Sequence, residues 1–276
     1  MNIDSHQHFW KYNPSAHGWI TPEMAVIRND FLPQDLESIL ERNAIDGCVA
    51  VQVDQTESET NYLLGLAEQH SFIKGVVGWI DFCGDHLPQR LQHYSRFEKL
   101  KGFRHIVQAE PEDFLRNPDF IEGVRLLGDY GFTYDILIYP HQLEAAIYFV
   151  SQLPGVTFVL DHLAKPYISR QEIEPWATGI KTLASFPNVY CKVSGMVTEA
   201  NLTAWKYEDF IPYLDVVFSA FGTQRLMFGS DWPVCLLAAD YASVKKILST
   251  YLNTHSEEVR DAVFGKNACD VYRLRQ

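Results

Sequence analysis

The chain has 276 residues, of which 47% are hydrophobic and 21% charged; that composition is globular rather than disordered, and the length suits one large domain or two small ones. Its 23 Lys+Arg stand against 35 Asp+Glu, a formal net charge of -12 that repels phosphate backbones and anionic lipid, so neither nucleic acid nor a membrane surface is expected as a partner. Cys48, Cys83, Cys191, Cys235 and Cys269 are scattered and form no Cys-x-x-Cys pair, which argues against both a structural zinc site and a disulfide framework. The first residues show no basic segment followed by an apolar one, and no apolar run is long enough to span a bilayer. A cytoplasmic protein is therefore expected.

Short apolar runs rich in β-branched residues alternate along the chain with amphipathic stretches. The first strand is expected at residues 1–5 and leads into His6-Gln7-His8. Residues 33–43 follow with apolar positions at helical spacing behind Pro33, which suits a first turn, and a strand comes at 46–52. Ser58 is placed to cap the next helix, and strands at 73–79 and 100–104 come after it. Asn117-Pro118 and Tyr139-Pro140 read as helix starts on either side of a strand at 133–137. Leu153-Pro154-Gly155 and Phe186-Pro187-Asn188 read as turns entering strands at 157–161 and 189–194, and a last strand lies at 225–230. Eight such runs, each short and apolar, fit parallel strands buried on both faces. With no linker or low-complexity tract between them, the expected class is α/β, a single-domain (β/α)8 TIM barrel over residues 1–276. A doubly wound sheet would carry a glycine-rich phosphate loop after its first strand, whereas Phe9-Trp10-Lys11-Tyr12-Asn13-Pro14 stands there.

Chemistry in such barrels sits where strands end. His6 and His8, two apart in an extended segment, face the same way. Later strand ends supply Gln52, Arg104 with His105, Asp135, Asp161-His162 with Lys165, Lys192 with Ser194, and Asp231-Trp232. Taken singly, an Asp after a strand is a helix cap, a buried His is packing, and Lys165 before Pro166 faces solvent. The convergence of His6, His8, His162 and Asp231 on one mouth is different. It is the composition of a general base beside an electrophile or a metal.

These residues resemble those of the amidohydrolase superfamily, through His-x-His on the first strand and Asp on the eighth. The phrases Ile3-Asp4-Ser5-His6-Gln7-His8, Arg104-His105-Ile106-Val107-Gln108, Leu160-Asp161-His162-Leu163-Ala164-Lys165-Pro166 and Gly229-Ser230-Asp231-Trp232-Pro233 are similar to the amidohydrolase-related branch of sugar-acid lactonases and pyrone-dicarboxylate lactonase. The resemblance implies a hydrolase that opens a sugar-acid lactone by attack of water, with Asp231 as general base and His6, His8 and His162 polarising the carbonyl or holding one metal. Binuclear members bring a bridging Lys or Glu on the fourth strand and a His on the fifth. Arg104 and Asp135 stand there instead, so two ions are not expected. One divalent ion, zinc or manganese, on His6, His8 and Asp231, with His162 as a further ligand, and a metal-free site both fit this pattern.

Arg104 and Lys165 are expected to hold polar or anionic substrate groups, and Gln52, His105, Lys192 and Trp232 to line the site. Trp10 and Trp19 offer a face for a sugar ring, while Trp79 is expected in the core. Two other enzymatic readings are a single-metal decarboxylase and an amide hydrolase of the same superfamily. The non-enzymatic one is a sugar-acid-binding module on an inactivated barrel. A small sugar lactone is the expected partner, and the oligomeric state, homodimer included, is left open.

Overall fold

Eight parallel strands follow one another around a barrel in sequence order in the computed structural model, which describes residues 1–275. The strands are β1 (Ile3–Gln7), β2 (Gly47–Val51), β3 (Ile73–Gly78), β4 (Leu100–His105), β5 (Thr133–Ile136), β6 (Thr157–Leu160), β7 (Val189–Val193) and β8 (Leu226–Phe228). Each falls where the apolar runs place it, to within two residues at an end. Gln276, part of the expected domain, lies outside the described residues. Helices Pro33–Arg42, Glu57–Gln69, Trp176–Ala184 and Tyr207–Phe221 are among those that cover the outside of the barrel. Between sheet and helices lies the large apolar core, with Leu36, Leu63, Phe103, Tyr134, Phe158 and Phe228 among its fully buried members. The helix after β2 begins earlier than Ser58 suggests. Thr56 is its cap, with a side-chain oxygen that accepts from Glu59 N at 3.2 Å.

The lower half of the barrel interior is filled by Ile3, Val49, Val51, Val77, Val159 and Met227, against Ala268, Val271 and Tyr272 of the C-terminal segment. That segment closes the barrel from below. A Cβ at Gly265 would lie 1.9 Å from the Met1 carbonyl oxygen, so only glycine admits this approach.

In β1, regular alternation from an inward Ile3 would send Ser5 and Gln7 inward and His6 outward. The pairing with β2 shifts by one residue, from Asp4 opposite Cys48 to Gln7 opposite Ala50. This bulge turns the His6 ring into the barrel, beside Arg104, Asp161 and Lys192. Asp4 instead faces outward, where its carboxylate accepts from Ser230 N (2.9 Å), Tyr241 Oη (3.0 Å) and His6 N (3.1 Å). An Asp4→Asn substitution presents an NH2 group to these donors. It is expected to cost about 3 kcal/mol of stability, read as a lower urea midpoint.

β1 and β8 meet along a seam. Ser5 Oγ donates to Phe228 O (2.6 Å), Asp231 N to His6 O (2.8 Å), and His8 N to Trp232 O (2.8 Å). Among the described residues, no helix is long and apolar enough to cross a membrane.

Candidate active site

The barrel mouth brings His6, His8, His162 and Asp231 together, all at most 5% exposed. His8 Nε2 lies 3.2 Å from His6 Nε2 and 3.3 Å from Asp231 Oδ1, which is also 3.9 Å from His6 Nε2 and 3.8 Å from His162 Nε2. β1 supplies the first two imidazoles. His162 follows β6 through a turn in which His162, Leu163, Ala164 and Lys165 all have φ between 49° and 57°. Four consecutive left-handed residues without a glycine break the strand alternation, so that adjacent Asp161 and His162 both face the centre. Asp231, just past β8, is also left-handed at φ 59°. The ring of His162 is seated over Gly195 (φ 62°), where any Cβ would stand 2.5 Å from His162 Nδ1.

The hydrogen-bond partners set the tautomers. His8 Nδ1 lies 2.8 Å from the Val51 carbonyl oxygen, which only accepts, so Nδ1 carries a proton and Nε2 is the atom turned toward His6 and Asp231. His6 Nδ1 faces Asp161 Oδ1 at 3.2 Å, which likewise puts its lone pair on Nε2. Burial pushes His6 well below the ordinary histidine range and His162 down to about 4, so both rings are neutral at pH 7. Burial alone would raise the Asp231 carboxyl, but His162 and the hydrogen bond with His8 hold it well below the usual carboxylate range.

The His6 and His8 Nε2 atoms stand 3.2 Å apart with Asp231 Oδ1 beside them, an arrangement that a shared proton or a cation satisfies. In a tetrahedral zinc centre with bonds of about 2.0–2.1 Å, neighbouring donor atoms stand about 3.3 Å apart, close to the 3.2 and 3.3 Å that separate His8 from His6 and from Asp231, while the His6–Asp231 edge is longer at 3.9 Å. The donors present therefore fit a single divalent ion.

Asp161 and Ser194 orient the imidazoles, roles that the sequence signalled only by their places at strand ends. Ser194 Oγ lies 2.8 Å from His162 Nδ1. A Ser194→Ala substitution is expected to lower kcat about tenfold with an unchanged melting temperature, measured by steady-state kinetics beside a thermal melt.

Other expected site residues lie elsewhere. Lys192 is fully buried beneath the imidazoles, with Nζ 2.6 Å from Asp135 Oδ2 and 3.0 Å from Asp161 Oδ1, and so does not line the mouth. Trp232 is 2% exposed and packs outward between Phe9 and Phe31. His105, next to the inward Arg104, turns outward by strand alternation; it stacks on Phe114 and pairs with Glu110 at 2.9 Å. Gln52 is buried, its Nε2 on the Arg104 carbonyl oxygen at 3.1 Å and its Oε1 3.3 Å from Arg104 Nη2. Arg104 itself reaches Asp161 Oδ2 at 2.9 Å. Lys165 stands at the rim, paired with Glu199 at 3.4 Å and over the Tyr139 ring. Trp79 is half-buried rather than in the core, and its Nε1 donates to His105 Nδ1.

A cavity of about 340 Å³ opens along the loops after β1 and β2, lined by Trp10, Asn13, His17, Asp54 and Tyr62 among others. Glu59 holds that second loop by accepting from Val53 N (2.8 Å) and Asp54 N. Burial lifts its carboxyl from 4.5 to about 8. Because the folded state holds this proton more tightly, the contribution of Glu59 to stability is complete below about pH 4.5 and lost as pH rises through 8. Urea midpoints taken from about pH 5 to about pH 9 should fall more steeply in the wild type than in Glu59→Gln.

A family model described as Amidohydrolase matches residues 3–274. An L-fucono-1,5-lactonase of Burkholderia multivorans is 37% identical over 286 residues, covering 99% of this chain and 96% of its own length. A crystal structure of an amidohydrolase from Burkholderia multivorans with bound zinc superposes with a TM-score of 0.95 over all of both chains, at 37% identity. A probable 2-pyrone-4,6-dicarboxylic acid hydrolase of Acinetobacter baumannii, 14% identical, shares the fold with a TM-score of 0.81 over 99% of each chain. The histidine pair of the first strand and the aspartate after the eighth thus sit in a barrel that matches these proteins from end to end, and the chain belongs to the amidohydrolase family.

Proposed function

We propose that the protein is a hydrolase that opens a sugar-acid lactone to the free hydroxy acid. The observation that carries this reading is the convergence of two imidazoles and a carboxylate at the mouth of the barrel, in a chain 37% identical to an L-fucono-1,5-lactonase over nearly its whole length. The lactone carbonyl is directed at the barrel mouth toward Asp231, beside His6, His8 and His162. Asp231 takes a proton from water as the water oxygen adds to the carbonyl carbon. Collapse of the tetrahedral species breaks the ring carbon–oxygen bond, and Asp231 returns the proton to the departing oxygen. The ester oxygen is a better leaving group than an amide nitrogen, which favours lactones over amides.

His6, His8 and Asp231, with His162 beside them, would hold a divalent ion, zinc or manganese; when bound, the ion supplies a Lewis acid for the carbonyl oxygen. Ser194 and Asp161 keep the rings turned toward it. Lys165, free to leave Glu199 at the rim, is the candidate for a polar group on the far side of the sugar, and Arg104 supports the site from beneath. Five unpaired cysteines suit a reducing compartment, which supports a cytoplasmic location.

The test is a pH-indicator assay of chelator-treated protein on L-fucono-, L-rhamnono- and L-galactono-lactones, with and without added zinc or manganese. Acid release above the spontaneous rate supports the reading, and the metal arms show whether an ion is required. No release in any arm, together with turnover of an aromatic carboxylic acid, replaces it with decarboxylation.

A further inference from the structure

A second donor set lies beneath the first. His6, Asp161 and His162 offer ligand atoms that all fall within 4.8 Å of one another, as do those of His6, His8 and Asp231. In the second set, however, the protein's own cations already occupy the donors. Arg104 Nη1 lies 2.9 Å from Asp161 Oδ2 and 3.3 Å from His6 Nε2. Lys192 Nζ lies 3.0 Å from Asp161 Oδ1 and 3.3 Å from His6 Nδ1. Each oxygen of Asp161 therefore faces a cation. The guanidinium N–H also points at the lone pair of His6 that an ion in the first set would need.

We propose that Arg104 is a built-in cation that competes with the divalent ion for His6 Nε2 and, with Lys192, closes the second donor set, so that the centre takes one ion and holds it weakly. Three observations support the competition. Arg104 is 3% exposed, so its charge acts at close range with little solvent screening. A guanidinium does not lose its proton in proteins, so the competition cannot be relieved by pH. Finally, Arg104 Nε is buried without a hydrogen-bond partner. The other two nitrogens are held, Nη1 by Asp161 Oδ2 and Nη2 by Gln52, so the charge stays against His6.

The inference stands apart from the lactone reading, because ion uptake is measured without substrate. Apo protein is titrated with zinc against a chromophoric chelator, and stoichiometry is read by native mass spectrometry. The wild type should take one equivalent. Arg104→Gln, which removes the charge, should bind that ion at least about tenfold tighter, whereas Arg104→Lys should stay within about threefold of the wild type. Two equivalents in the wild type, an unchanged affinity in Arg104→Gln, or equal tightening in both variants would overturn the proposal. Circular dichroism melts establish that the variants fold, and the wild-type stoichiometry is decisive even if one does not.

Discussion

Asp231→Asn is expected to lower kcat on a lactone substrate by about 10³–10⁴-fold while leaving the urea midpoint unchanged. Asparagine is nearly isosteric with aspartate, and it is among the few side chains that accept the left-handed backbone held at this position, φ 59°. The substitution therefore removes the proposed base without straining the turn. It also removes the only anionic donor among His6, His8, His162 and Asp231, so zinc affinity should fall with activity, by about 10-fold or more. Steady-state kinetics beside a zinc titration separate the two effects, since saturating zinc restores occupancy but not a proton acceptor. A variant that kept more than a tenth of the wild-type kcat would remove Asp231 from the base role.

Lys192→Met should have the largest effect on stability. The side chains are similar in volume, so packing changes little, but the ammonium lies fully buried between Asp135 and Asp161. Removing one partner of a buried ion pair leaves the other uncompensated, which costs about 3–5 kcal/mol. Here two carboxylates would be left near one another beneath the imidazoles. For a chain of this size the loss corresponds to a melting temperature lower by about 10 °C. Urea unfolding followed by tryptophan fluorescence measures it directly. An unchanged midpoint would mean that the interior is not organised around this cation.

The strands were legible because both faces of nearly every strand residue are buried, leaving short apolar runs bounded by turn signals. His6, His8, His162 and Asp231 were legible because strand ends of a barrel converge. What was hidden is the local backbone that aims side chains. Nothing in Ile3-Asp4-Ser5-His6 announces the register shift that turns His6 inward. Nor does Asp161-His162-Leu163-Ala164-Lys165, which lacks glycine and asparagine, announce four left-handed residues. The same blindness misplaced Lys192, His105 and Trp232, each of which stands near a strand end but points below the site or away from it. Ser58 lost the cap to Thr56 by two residues, a distance that composition cannot resolve.

The seam between β1 and β8 has a consequence for how the protein acquires its activity. Two donors 3.3 Å apart, on His8 and Asp231, come from opposite ends of the chain and are joined by backbone hydrogen bonds across that seam. Beneath them Tyr272, inserted from the C-terminal segment, donates to Asp135 at 2.7 Å and completes the charged interior. During synthesis the first strand leaves the ribosome with its histidines long before their partners exist, so the nascent chain carries an unmatched half-site through most of its translation. Seven of the eight strands can pair with sequential neighbours as they emerge, but only closure of the ring creates the centre. Refolding should therefore recover helical ellipticity before it recovers zinc uptake, and the interval between the two signals is the time the barrel takes to close.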